Sequence, residues 1–107
     1  MSVYGEWKSA VITIATDDDL SAEVDLGRDY EYLDIIIPTI DSSNISLYVS
    51  RNTGGTFYQL GDSTSYFEAA TGGRADTLNL GGWQYVKIKT SAAQSANRTF
   101  TVRGWRV

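Results

Sequence analysis

The sequence predicts an all-β fold: an antiparallel β-sandwich of seven to eight strands, of the jelly-roll type, in one domain spanning residues 1–107. Three observations carry that expectation. Residues 22–60 are a succession of short runs that alternate apolar and polar and end in turn residues. No stretch repeats apolar residues with the helical period; residues 92–96 have room for one helical turn at most. A single proline and the glycine pairs Gly54-Gly55, Gly72-Gly73 and Gly81-Gly82 suit tight hairpins.

The elements follow in chain order. Residues 10–15 alternate with Ala10, Ile12 and Ile14 on one face, and Asp17-Asp18-Asp19 forces a polar turn. A strand at 24–26 ends at Gly27, and a second at 32–37 ends at Pro38 with Leu33, Ile35 and Ile37 on one face. The cluster Asp41-Ser42-Ser43-Asn44 makes a turn. A third strand, 45–49, places Ile45, Leu47 and Val49 on one face and ends in the turn 51–55; the next opens at Thr56. Residues 61–73 dissolve into Ser, Thr, Gly and Asp around Tyr66-Phe67 and read as the longest loop.

A short strand at 77–80 then leads through Gly81-Gly82 into 83–89. There Gln84, Val86 and Ile88 point inward, while Trp83, Tyr85, Lys87 and Lys89 share the other face. After a loop at 90–97, the last strand, 98–107, buries Phe100 and Val102. It turns Thr99, Thr101, Arg103 and Trp105 outward unless a bulge at Gly104 changes the register. Ile35, Ile37, Leu47, Val49, Val86 and Ile88 form the expected central core.

Composition excludes much chemistry. The chain has no cysteine and no histidine, so thiolate nucleophiles, Ser-His-Asp relays and the commonest transition-metal ligands are absent. No apolar run approaches the roughly 20 residues of a membrane helix, and residues 1–8 lack the pattern of a secretory signal. The expectation is a product made in the cytoplasm. Asp17-Asp18-Asp19 reads as a solvated turn, because three adjacent acids are expected not to face one ion. Thirteen acids make some carboxylate pair inevitable, and the glycine-rich turns lack the lysine of a phosphate loop. No catalytic residue, cofactor or metal is expected.

Charge is split along the chain. Thirteen carboxylates and four cations precede Leu78, a net of −9; Lys87, Lys89, Arg98, Arg103 and Arg106 follow it with no acid, a net of +5, so the whole chain carries −4. Basic strands lie beside acidic ones within the monomer, or the two signs form complementary faces between subunits. Five dispersed cations make a poor phosphate track, so no nucleic acid is expected. Trp83, Tyr85 and Trp105, with Lys87 and Arg103, are the candidate interface or ligand-facing residues. They complete the second side of the core, form a protein interface, or stack on sugar rings.

The run Val24-Asp25-Leu26-Gly27, the alternation up to Pro38, and Ile45-Ser46-Leu47-Tyr48-Val49-Ser50 before a glycine-rich turn resemble the galactose-binding-like (discoidin-type) jelly roll. Residues 83–107 are similar to the C-terminal ends of small β-sandwich structural proteins of tailed bacteriophages. The portion concerned is the YVKI strand, the Ser-Ala-Ala-Gln loop and the RTF-x-V strand. The second resemblance implies a non-enzymatic virion component (head, neck, tail or decoration) that acts by self-association or by docking on other virion proteins. The first implies, as the alternative, a carbohydrate-binding module. The typical discoidin-like domain is longer, and its calcium and sugar loops find no residue-by-residue counterpart here.

Overall fold

The computed structural model describes residues 2–62 and 67–107. It contains β1 (Val3–Tyr4), β2 (Lys8–Ile12), β3 (Val24–Ser50), β4 (Tyr58–Gln59), β5 (Phe67–Thr90) and β6 (Arg98–Arg106), all paired antiparallel. The described residues include no helix, and residues 91–97 form bends without a helical turn.

Two long strands organise the molecule. The first part of β3 lies between β6 and the middle of β5, with Ile35 opposite Val102 on one side and Asp76 on the other. β2 and β1 extend that layer beyond β6. The last part of β3 pairs instead with the end of β5, Leu47 opposite Ile88, and with β4. Val24 at the start of β3 takes the far side of β5, opposite Val86. Each long strand therefore serves both layers. This accounts for six continuous strands where the sequence reading divides the same residues into seven to eight.

The breaks expected at Gly27 and Pro38 are bends inside β3. Gly27 sits at φ 91° and its N–H is bonded at 2.8 Å to the Asp25 carboxylate, so the chain bulges and continues. The pairing shifts register between Thr39 and Ile45, where the chain passes from one layer to the other. Polar side chains satisfy that corner. Gln94, buried, accepts from the Asp41 N–H at 2.9 Å, and Ser91 Oγ accepts from the Asn44 N–H at 2.9 Å. Gly72, at φ 74°, carries β5 past the Pro38 carbonyl oxygen, which would stand 2.0 Å from any Cβ placed there.

The loop expected at 61–73 is corrected in the same way. From Phe67 onward it is strand, paired with residues 39–45 of β3, while Tyr66 and its neighbours at 63–65 lie outside the described residues. Threonine and glycine conceal a strand whose edge position asks for little apolar surface. Gly81 and Gly82, both at positive φ, bend β5 without ending it. The strand expected to open at Thr56 is the two-residue β4, and β2 ends at Ile12, leaving Ile14 43% exposed. β6 pairs with β3 without a shift across Gly104, so no bulge forms there. Its lack of a Cβ instead admits the Tyr30 ring, whose Cδ2 would stand 2.1 Å from one.

The core is one cluster drawn from both layers. All six residues expected at its centre are buried, with Ile35, Val86 and Ile88 fully so. Ala10, Ile12, Leu33, Phe100 and Val102 complete it from the first layer.

Candidate functional site

The outer face of the first layer carries the most developed side-chain arrangement, and strand register builds it. Thr77, Asp34 and Arg103 stand opposite one another on β5, β3 and β6. One row along, Tyr4, Trp105 and Tyr32 do the same on β1, β6 and β3. Outward positions two apart on each strand thus converge into two adjacent cross-strand rows.

Asp34 joins the rows. Its carboxylate accepts from Arg103 Nε, Trp105 Nε1 and Thr77 Oγ1, each at 2.9 Å. Burial alone would raise the Asp34 pKa; the donors Arg103, Thr77 and Trp105 outweigh it and hold the carboxyl below its ordinary value. The Trp105 ring stacks on Tyr32 at 4.5 Å and on Tyr4 at 5.5 Å. The Arg103 guanidinium lies 4.7 Å from the Tyr4 ring and 4.6 Å from Trp7. Tyr4, Trp7 and Ile36 remain about half exposed, at 55%, 46% and 45%. Beside them runs an open groove of about 530 Å³ lined by Trp7, Asp34, Ile36, Ala75 and Thr77.

The five residues singled out in the sequence do not gather in one place. Arg103 and Trp105 belong to this face. Tyr85 and Lys87 lie on the second layer, opposite Ser50 and Tyr48, with the Lys87 ammonium 4.7 Å from the Phe57 ring. Trp83 is opposite Tyr30 and packs against the core rather than sharing the outward face of Tyr85. The register shift between Asp25 and Tyr30, beside Gly81-Gly82, breaks the alternation that placed it outside. Gln84, expected inward, is half-buried and donates to Asp25 at 2.9 Å. Sequence reasoning missed Tyr4, Trp7, Tyr32, Asp34 and Thr77 as site residues. Strand pairing brings Tyr4, Tyr32, Asp34 and Thr77 together and Trp7 joins them from the link between β1 and β2; no periodicity encodes this.

The charge split is largely absorbed within the monomer. Arg103 pairs with Asp34 at 2.9 Å, Arg98 with Asp41 at 3.3 Å, and Lys89 with Asp19. Three of the five C-terminal cations thus meet carboxylates from the first half of the chain. Lys89 is also the chief reason that the Asp19 pKa is lowered.

One geometric expectation fails. Asp17, Asp18 and Asp19 each bring one carboxylate oxygen within 4.8 Å of the others, so adjacency does not prevent convergence. The turn folds back through Asp17 N–H to the Thr13 carbonyl at 3.0 Å, which curls the three side chains together. Among the described residues this is the group whose spacing suits a metal ion, with Asp19 already bonded to Lys89.

No protein-family model and no curated protein matches the chain. Solved structures do. The family 32 carbohydrate-binding module of Clostridium perfringens NanJ, solved with galactose, is 9% identical at a TM-score of 0.57, covering 97% of this chain and 93% of its own. The SPBc2 prophage-derived protein YomS is 14% identical at 0.52, covering 94% and 95%. Chitosan-binding module 1 of a Paenibacillus sp. IK-5 chitosanase/glucanase is 14% identical at 0.51, covering 91% and 94%. At these identities the likeness is one of fold. The chain has an antiparallel jelly-roll sandwich, an architecture similar to that of carbohydrate-binding modules and of a small prophage-derived protein.

Proposed function

We propose that this protein is a non-catalytic structural component of a tailed-bacteriophage virion that docks on its assembly through the outer face of the first layer. The observation that carries the reading is the face itself. Half-exposed Tyr4 and Trp7 flank an arginine held in place by Asp34, a residue set typical of protein-interface anchors. Pre-organisation matters here, because the arginine is already ordered before any partner arrives. The near end-to-end likeness to a prophage-derived protein of similar length supports the virion assignment. The absence of histidine and cysteine supports a binding role over a catalytic one.

A carbohydrate-binding role is the second reading, favoured by one specific feature. Trp7 borders a groove that also offers Asp34 and Thr77, an aromatic platform beside polar groups of the kind a pyranose requires. The two readings part in experiment. Mass spectrometry and immunogold labelling of phage particles purified from a culture that produces the chain should find it in fixed copy number. Its absence from particles, with calorimetric binding of galactose or chitosan oligosaccharides abolished by Trp7→Ala, would replace the first reading with the second.

A further inference from the structure

The two edges of the first layer differ. At one, β2 is partly covered by its own chain, since the Ala22 N–H donates to the Val11 carbonyl at 2.9 Å. At the other stands the middle of β5. Residues 74–79 pair with β3 on one side, and among the described residues no strand pairs with them on the other. Arg74, Ala75, Thr77 and Asn79 are exposed. Gly72 and Gly73 bound this straight stretch at one end and Gly81 and Gly82 at the other, all at positive φ. Such an edge is a template for another strand unless something selects against it.

Arg74 and Asp76 are that selector. They stand opposite Ile37 and Ile35, so they take the core-facing side of the sheet, and there they bond each other at 3.0 Å. Inward charges discourage an arbitrary strand from adding on. They do not discourage a second copy related by a two-fold axis through Ala75. In that register Arg74 faces the partner's Asp76, Asp76 faces the partner's Arg74, and the small Ala75 side chains meet at the axis. Sliding by two residues sets Asp76 against Asp76 or Arg74 against Arg74. Sliding by one turns core-facing residues to the outside.

We infer that the free β5 edge is an isologous, self-recognising surface through which two copies of this chain join their first layers into one continuous antiparallel sheet. The contact borders the groove through Ala75, Asp76 and Thr77 but uses none of Tyr4, Trp7 or Arg103, so its failure would not touch the docking reading above. Sedimentation equilibrium on the full chain, at concentrations up to about 1 mM, tests it, because edge pairing alone makes a weak interface. The wild type should show a monomer–dimer equilibrium. Asp76→Arg and Arg74→Asp should each weaken the dimer by about tenfold, and the double reversal should return it to within about threefold of wild type. Circular dichroism on each variant confirms that the monomer remains folded. A wild type monomeric throughout, a dimer indifferent to both single reversals, or a double reversal no stronger than the singles would each overturn the proposal.

Discussion

The two outer faces of the sandwich obey the same alternation rule and end up very different. On the first layer, Thr77–Asp34–Arg103 and Tyr4–Trp105–Tyr32 line up across neighbouring strands and are locked by hydrogen bonds and stacking. On the second, the contacts are separate. Lys87 lies over Phe57, and Glu23 accepts from Thr53 at 2.5 Å and Gly54 at 2.7 Å. Outward residues of suitable type are present on both. The difference is register: of the two faces, among the described residues, the first places one carboxylate beneath three donors from neighbouring strands. A functional face therefore arises from pairing between strands distant in sequence, not from the composition of any one strand.

The largest expected effect lies beneath both faces and sets the scale. Leu47→Ala, at a position 5% exposed, should cost about 2–5 kcal/mol in chemical denaturation. A loss below about 1 kcal/mol would mean that the core does not hold the layers together as described.

Next come the faces themselves. Asp34→Ala strands Arg103, the Trp105 indole N–H and Thr77 without their shared acceptor, and should cost about 1–3 kcal/mol. Glu23→Ala, whose loss leaves its donors Thr53 and Gly54 in an exposed turn, should stay within about 0.5 kcal/mol. Equal losses would erase the contrast.

Acid sharpens the same comparison. The folded-state pKa of Asp34 lies below its unfolded value, so its contribution is fully present above the ordinary carboxylate value of about 4 and disappears as pH falls through the folded value. Thermal melts from pH 6 downward should show Asp34→Asn flattening that acid limb. An unchanged limb would assign the acid sensitivity to other carboxylates, such as Asp19, whose pKa is also lowered.

Much of the fold was legible in the sequence because burial imposes a period of two. Leu33, Ile35, Ile37, Ile45, Leu47, Val49, Val86, Ile88, Phe100 and Val102 all lie inside as their alternation required. Breaks were less legible, because Gly27, Pro38 and Gly81-Gly82 look like ends in a local pattern. Whether a chain ends or bends there depends on partners elsewhere, such as Gln94 and Ser91 at the β3 corner. The candidate site was half legible. Arg103 and Trp105 stood out as outward residues on a recognisable strand. Trp7 lies in no strand, Asp34 looked like any outward acid, and Trp83 was placed by a bulge.

A small expected effect on stability is the most telling for function. Trp7→Ala removes a half-exposed ring and should cost less than about 1 kcal/mol in stability. The measurement that tests the docking face most directly is the copy number per virion of Trp7→Ala and of Lys87→Ala, each supplied in place of wild type and counted by mass spectrometry. The account predicts that Trp7→Ala falls by about tenfold or more, as expected of an anchor residue, while Lys87→Ala matches wild type. Full incorporation of Trp7→Ala, or an equal loss in both variants, would contradict it.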